Sequence, residues 1–151
     1  MNTLNSSLEF SHFPVMLSEI IQIASPEKGG LFIDCTFGGG SYSNALLKFP
    51  KTKVIGIDRD DAVISRANEL QKKYQKRFKF YQIKFSELDK ILNKNADTII
   101  FDLGLSSIQL KNLNRGFSFK SKNKLDMAMG LNNISAQEAI NNLSEKHLKL
   151  I

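Results

Sequence analysis

Cysteine, histidine and tryptophan are scarce in this chain. Its 151 residues include one cysteine, two histidines and no tryptophan. A single cysteine cannot form a disulfide within the chain, and its isolation suits a reducing compartment. We interpret Cys35, which follows a predicted strand, as a small buried side chain rather than a nucleophile. No grouping of histidine and cysteine indicates a metal site, so we predict no bound metal.

Long apolar runs and targeting signals are also missing. No hydrophobic stretch approaches the roughly 18 residues that indicate a transmembrane helix, so we expect no membrane contact. The N-terminal sequence MNTLNSSLEFSHF lacks the basic start and apolar centre of a secretory signal, and it contains Glu9 and no arginine. These features argue against signal and transit peptides and predict a cytoplasmic protein.

The charge balance is basic. There are 21 lysines and arginines against 15 acidic residues, a formal net charge of +6, and 42% of the residues are hydrophobic. That hydrophobic content can form the core of one domain at this length. The positive charge favours an anionic partner such as nucleic acid, although many basic proteins bind none.

The segment from Leu31 to Leu47 organises the chain. It reads as a strand closed by Asp34, a turn with glycines at 38–40 and the start of a helix. Glycines in such a turn let a ligand approach the backbone, and the following helix offers free N–H groups. A second strand ends in Asp58, about 20 residues past the glycines, where nucleotide-binding βαβ units place an acid for ribose. The alternative is a tight turn with no ligand.

Strands and helices alternate along the rest of the chain. The first predicted elements are a helix at 14–24 with Val15, Met16, Ile20 and Ile23 on one side, and strands at 31–34 and 53–58. A helix from Asp60 or Asp61 to Tyr74 follows, with a buried stripe of Val63, Ala67, Leu70 and Tyr74. The remaining predicted elements are a strand at 78–83, a short helix capped by Ser86, and a strand at 97–103 buried on both faces. This alternation predicts an α/β fold with a doubly wound parallel sheet. By analogy with nucleotide-binding folds, the strand order would begin 3-2-1-4. Asp34, Asp58 and Asp102 would then point toward one crevice.

The segment 104–130 has no sustained periodicity and interleaves aromatic and basic residues. Such a long loop is usually functional or disordered, and it could stack on bases and contact phosphates or be only a mobile basic loop. Beyond it, Ser135 and Ser144 are predicted to cap two helices.

The glycine turn also discriminates between cofactors. The dinucleotide fingerprint G-x-G-x-x-G fits Gly38 and Gly40 but meets Ser43 at the third position, which disfavours a hydride-transferring dehydrogenase. Enzymes that use S-adenosylmethionine need no pyrophosphate cradle. They place acids after strands 1 and 2 and a polar loop after strand 4, a layout that Asp34, Asp58 and 102–104 match.

Six blocks together carry a closer resemblance. They are SHFPVMLSEII, DCTFGGGSYSNALL, VIGIDRDDAVISRA, FDLGLSSIQL, NRGFSF and LDMAM. Their order and spacing resemble the bacterial small-subunit ribosomal RNA cytosine-N4 methyltransferases over essentially the whole chain. The resemblance implies a Rossmann-like methyltransferase fold, S-adenosylmethionine as cofactor, and transfer of its methyl group to the N4 amine of a decoding-centre cytosine. The implied partner is small-subunit ribosomal RNA or an immature small subunit.

The resemblance also implies site residues. Carried over by position, the cofactor contacts are Gly40, Ser41, Tyr42, Asp58, Phe85, Asp102 and Gln109. Asp102 and, less directly, Asp126 are candidates to position cofactor or amine, and no general base is assigned. Arg115, Phe117 and Phe119 are candidates for contact with RNA.

The chain departs from the family pattern in three ways. Ser41-Tyr42 replaces Gly-His, Ala128 replaces an arginine, and family members run to roughly twice this length. We therefore predict a partial methyltransferase domain at 1–130 without its closing strands, and the start of a truncated helical inserted domain at 131–151. The competing interpretation is a non-catalytic remnant or half-domain that binds cofactor or RNA. We expect the chain to compensate for the missing strands by self-association or by binding a second chain that supplies the missing half.

Overall fold

A four-stranded parallel sheet lies at the centre of the computed structural model, which describes residues 14–92, 95–131 and 134–150. The strands are β1 (Gly30–Asp34), β2 (Thr52–Asp58), β3 (Phe78–Gln82) and β4 (Thr98–Ile100), in the order β3-β2-β1-β4. In the registers, Phe32 lies beside Val54 of β2 and beside Thr98 of β4. The predicted α/β class and strand order are confirmed.

Six short α-helices accompany the sheet within the described residues. They are α1 (Leu17–Ala24), α2 (Ser41–Leu46), α3 (Ile64–Tyr74), α4 (Ser107–Lys111), α5 (Ala136–Asn142) and α6 (Glu145–Leu148). Short 3₁₀ helices occur at Pro26–Lys28, Asp61–Val63, Gln75–Arg77, Phe85–Lys90 and Leu113–Arg115. In the described part of the chain, no helix has the length and apolar character needed to cross a membrane.

Two apolar clusters cover the two faces of the sheet. The larger one joins Phe32, Val54 and Phe78 of the strands to side chains of α2 and α3, including Ala67 and Leu70. The predicted stripe of α3 is therefore confirmed, because its residues recur at helical spacing on the face that meets the sheet. The smaller cluster contains Ile33, Ile57 and Cys35. Burial raises the pKa of the Cys35 thiol to about 11, as expected for a small core side chain.

The predicted apolar side of α1 was wrong except at Ile20. Val15, Met16 and Ile23 are exposed, whereas Leu17, Ile20, Ile21 and Ala24 pack against the core. The helix begins three residues later than predicted, after Met16 in a left-handed conformation with φ of 52°. That turn changes which side chains face the sheet.

Burial of the fourth strand on both faces was also a wrong prediction. β4 spans only Thr98–Ile100 and lies at one edge of the sheet. Ile100 is buried, but Ile99 is 43% exposed and Phe101, just past the strand, is 49% exposed. The apolar run remains, but its second face is only partly covered, with the Phe85 ring against Phe101.

The predicted helix caps have mixed outcomes. Ser135 forms a capping box with Glu138, and the hydroxyl of Ser144 accepts a hydrogen bond from the His147 N–H, so both caps are confirmed. The cap predicted at Ser86 was wrong, since the 3₁₀ segment starts after Lys84 without a side-chain cap. The division of the chain at residue 130 stays a prediction. The backbone joins the two sides, because Ala136 N–H donates to the Asp126 carbonyl.

Candidate functional site

An open crevice of about 1150 Å³ lies at the carboxyl ends of β1 and β4. Three segments that follow strands provide most of its lining: 36–42 after β1, 62–69 after β2 and 102–109 after β4. Pro14 and Val15 close one side. This is the edge of an open α/β sheet, at its change of strand order, where ligands bind.

The glycine turn forms the floor of this crevice. Phe37 donates its N–H to the Ile57 carbonyl at 2.9 Å, and its ring packs between Phe78 and Phe80. Gly40 then starts α2 with a φ of 72°, and a Cβ at this position would lie 2.7 Å from the Phe37 ring. Gly39, in contrast, has open space where a Cβ would be. The turn is therefore fixed by packing at one end and accessible to a ligand at the other.

Asp34 lies beneath this turn and does not line the crevice. It is fully buried, and its Oδ2 accepts a hydrogen bond of 2.8 Å from the Ser43 hydroxyl. Its Oδ1 is buried without a hydrogen-bond partner. Burial raises the pKa of Asp34 to about 6, against the hydrogen bonds that lower it. The expectation that Asp34 points into the crevice was wrong, and its contacts brace β1 against α2.

Asp58 adjoins the turn from the end of β2. Its Oδ2 accepts the Gly38 N–H at 2.8 Å, and its Oδ1 accepts the Asp60 N–H at 3.0 Å. Burial raises the pKa of Asp58 above its ordinary value, and these N–H donors oppose the rise. Each carboxylate oxygen retains acceptor capacity, because an ionised oxygen can accept more than one hydrogen bond.

Asp102 and Tyr42 lie in contact in the lining of the crevice. The Asp102 N–H donates to Thr36 Oγ1 at 2.8 Å, which fixes the backbone after β4, while its carboxylate is exposed. The Tyr42 hydroxyl donates to the Val15 carbonyl at 2.5 Å and lies 3.4 Å from Asp102 Oδ2. Burial, then the neighbouring Asp102 charge, raises the pKa of Tyr42 to about 12. This phenol is therefore a hydrogen-bond donor at neutral pH.

A buried polar cluster behind the crevice was missed by the sequence reasoning. Asp60 Oδ2 accepts hydrogen bonds from Gln109 Nε2 at 2.9 Å and from Arg115 Nη1 at 2.8 Å. Asp60 was interpreted only as a helix cap, a role it does fill by accepting the Ala62 N–H at 3.1 Å. The signal available in the sequence was an acid, a glutamine and an arginine in separate blocks.

The crevice brings together some of the predicted cofactor contacts. Ser41, Tyr42, Asp102 and Gln109 line it, and Gly40 and Asp58 directly adjoin its lining residues. Phe85 does not line it, since its ring packs edge-on against Phe101 at 5.6 Å between centroids.

The second catalytic candidate lies elsewhere. Asp126 is exposed and lines a separate cavity of about 360 Å³ together with Asn114 and Gln137. The structure therefore does not bring Asp126 and Asp102 into one pocket. Among the described residues, no group of three or more histidine, cysteine or acidic side chains could hold a metal.

The three candidates for RNA contact differ in exposure. Phe119 is fully exposed. Phe117 is buried beneath the Arg115 guanidinium, which lies 5.1 Å from its ring centroid. Arg115 itself is mostly buried in the ion pair with Asp60. RNA contact by these residues stays a prediction.

Known relatives match this chain over most of its length. "Ribosomal RNA small subunit methyltransferase H" of Rickettsia massiliae (strain Mtu5) is 45% identical over 139 residues, and the protein of the same name from Rickettsia akari (strain Hartford) is 42% identical over 139 residues. Both alignments cover 91% of this chain and 45% of the relative. The chain thus spans less than half the length of either relative.

A solved structure shares the fold. An rRNA methylase from Clostridium thermocellum superposes with a TM-score of 0.52 at 18% identity, covering 62% of this chain and 54% of that protein. The sequence pattern of the MraW methylase family matches residues 9–151. With this match over nearly its full length and the methyltransferase-like sheet around the crevice, the chain belongs to the MraW methylase family.

Proposed function

We propose that this chain forms the S-adenosylmethionine-binding part of an enzyme that methylates the N4 amine of a cytosine in small-subunit ribosomal RNA. The observation that carries the proposal is the crevice bounded by the glycine turn, Asp58 and the loop after β4, in a chain of the MraW methylase family. The proposed substrate is ribosomal RNA or an immature small subunit, which places the protein in the cytoplasm.

The residues present fit this cofactor. Asp58 has acceptor capacity for ribose hydroxyls and is held in place by two backbone N–H groups. Gly38 and Gly39 leave the crevice floor free of side chains, and Ala62 and Ile108 give it apolar walls. When bound, the cofactor supplies an electrophilic methyl group on a sulfonium. The exposed carboxylate of Asp102 supplies negative charge on the crevice wall that complements such a cation.

Asp102 and the backbone at 103–107 are the groups proposed to hold the cytosine amine. The lone pair of this amine is delocalised into the ring, so it is a poor nucleophile. Hydrogen-bond acceptors that take its N–H groups both orient it and stabilise the charge that develops on nitrogen. Asp102 is suited to this role because its backbone is anchored to Thr36 while its carboxylate remains open to the crevice. We assign no general base.

The loop beyond α4 is the proposed RNA contact. Phe119, Lys120, Lys122 and Lys124 are exposed within it, and aromatic rings interleaved with cations bind unstacked bases and phosphates. The target base has to be presented in single-stranded or flipped form to reach the crevice.

Calorimetry with S-adenosylmethionine and with a nicotinamide dinucleotide tests the cofactor assignment. We expect S-adenosylmethionine to bind more tightly, and Asp58→Ala to lose about 1.5–3 kcal/mol of binding free energy with the loss of a charge-assisted hydrogen bond. Asp89→Ala, which removes an exposed acid outside the crevice lining, is the matched control and should bind as the unmodified chain does. Tighter binding of the dinucleotide, or equal affinities in the two variants, would contradict the assignment.

A second function is favoured by the uncovered side of β4. Ile99, Phe101 and Leu103 are exposed there, and such an apolar edge invites pairing with another chain. A half-domain that binds cofactor or RNA without turnover, or that acts with a partner supplying further strands, would account for this edge.

A further inference from the structure

One carboxylate, Asp60, connects parts of the chain that are distant in sequence. It is only 2% exposed and does not line the crevice. Its Oδ1 accepts the Ala62 N–H, and its Oδ2 accepts hydrogen bonds from Gln109 Nε2 and Arg115 Nη1. Its partners thus lie in the turn after β2, in α4 and in the segment that enters the basic loop.

Asp60 fixes two candidate cofactor contacts from behind. Its own N–H donates to Asp58 Oδ1 at 3.0 Å. On the other side, Gln109 has its Nε2 held by Asp60 and its Oε1 held by the Ser106 N–H at 2.9 Å. Both ends of the Gln109 amide are therefore occupied, which fixes the side chain at the crevice wall.

Arg115 extends the same network to the far end of the loop. Its Nη2 donates to the Ala128 carbonyl at 2.7 Å, and its carbonyl accepts the Met127 N–H at 2.9 Å. The loop between Arg115 and Ala128 is thus closed at its base by contacts that all begin at one residue. Gly116 is also closely packed there, since a Cβ would lie 2.8 Å from the Asp126 nitrogen.

The charges in this cluster balance. Burial alone would raise the pKa of Asp60, but the hydrogen bonds from Arg115 and Gln109 lower it below its ordinary value. The carboxylate is therefore ionised, and Arg115 is the cation paired with it. Removing either partner would leave a buried charge uncompensated, which is strongly unfavourable.

We propose that Asp60 is a positioning residue that links the cofactor crevice to the loop at 113–130 proposed to contact RNA. It holds Gln109 on the crevice side and Arg115 on the loop side. The inference rests on the proposed function and deepens it. Arg115 then acts on cofactor and RNA through the structure that it holds, because its guanidinium is occupied by Asp60 and Ala128. Gln109 likewise owes its place at the crevice to Asp60.

The test compares S-adenosylmethionine affinity, measured by calorimetry on the full chain, in Asp60→Asn, Arg115→Met and their double variant. We expect each single variant to bind about 10-fold more weakly, although neither side chain lines the crevice. The double variant should lose little more than either single one, since the residues act as a unit. Asp61→Asn changes the charge equally at an exposed neighbour and should stay within about twofold of the unmodified chain.

Thermal unfolding of the same samples separates positioning from stability. In a sample that is at least about 90% folded, incomplete folding changes the apparent Kd by only about 10%, so a 10-fold loss reports a displaced contact. Arg115→Lys keeps a cation beside Asp60 and provides a variant expected to fold if Arg115→Met does not, with an affinity loss below about threefold. Hydrogen exchange at 113–130 should be faster in Asp60→Asn and Arg115→Met than in Asp61→Asn.

Two results would overturn the inference. Folded Asp60→Asn and Arg115→Met that bind the cofactor like the unmodified chain would show that Gln109 and Asp58 do not depend on this cluster. Unchanged hydrogen exchange at 113–130 would show that the loop is held by other contacts. If the unmodified chain itself does not bind S-adenosylmethionine, the proposed function fails instead. The hydrogen-exchange measurement still tests whether Asp60 and Arg115 hold the loop in place.

Discussion

Asp34 provides a test of the electrostatics beneath the glycine turn. Its carboxylate is fully buried, accepts a hydrogen bond from the Ser43 hydroxyl, and has one oxygen without a partner. Replacing it by asparagine keeps the size and one acceptor oxygen. It also removes the charge whose burial raises the pKa of this group.

The sign and size of the effect follow from the pKa. The pKa of Asp34 rises from 3.8 to about 6 on folding, so the folded chain holds this proton more tightly than the unfolded chain does. The contribution of Asp34 to stability is therefore greatest below about pH 4, declines as the pH rises to about 6, and is constant above that. At 1.36 kcal/mol for each pH unit, the decline is at most about 3 kcal/mol.

The asparagine variant should lack this decline. We expect the free energy of unfolding of Asp34→Asn, relative to the unmodified chain, to increase by up to about 3 kcal/mol between pH 4 and pH 7.5. We also expect a loss of about 1–3 kcal/mol in the variant's free energy of unfolding that does not depend on pH, because its amide nitrogen would occupy the place of the unpartnered Oδ1.

Urea unfolding followed by circular dichroism at four or five pH values measures this difference. Asp89→Asn, an exposed acid, is the control and should run parallel to the unmodified chain. If Asp34→Asn also runs parallel, Asp34 does not titrate between pH 4 and 6 and the argument from burial is refuted.

Two other outcomes concern the loop and the sheet edge. In filter binding, Phe119→Ala should weaken the affinity for a small-subunit ribosomal RNA fragment by about 1–3 kcal/mol through lost stacking. Lys120→Ala should reduce the salt dependence of that affinity by about one ion. Unchanged affinity and unchanged salt dependence would show that the loop does not contact the RNA. The purified chain should self-associate in light scattering and Phe101→Lys should reduce this, because the exposed apolar side of β4 gains a charge. A monodisperse unmodified monomer that methylates a cytosine amine in immature small subunits would contradict that expectation.

Much of the fold was accessible from the sequence, because its signals are local. The stripe of α3 repeats over three turns, and the apolar runs before Asp34 and Asp58 define β1 and β2. Alternation of strands and helices indicated the α/β class, and analogy with nucleotide-binding folds supplied the strand order. The start of α1 was less accessible, since a left-handed residue such as Met16 has no sequence signature. The edge position of β4 follows from the predicted strand order, whereas its apolar run alone indicated burial on both faces.

The candidate site was predicted in position but not in detail. The acids after β2 and β4 do adjoin the crevice, because parallel strands bring their carboxyl ends to one edge. Asp34 shares that placement and is nevertheless covered by the turn that follows it. The pairing of Asp60 with Arg115 spans 55 residues, and no periodicity or capping rule connects positions that far apart. Side-chain partners of this kind arise from tertiary packing.

The strand order also has a consequence for how the chain folds while it is being synthesised. β1 can pair with β2 once Asp58 has left the ribosome, but its other neighbour, β4, ends at Ile100, 42 residues after the end of β2. At about 5–20 residues per second, that delay lasts about 2–8 s, during which one edge of β1 has no partner strand. Gln109 lines the crevice, so any ligand of the complete crevice could not stabilise a nascent chain until that residue has emerged. Binding of a ligand in the crevice therefore cannot protect the β1 edge during those seconds.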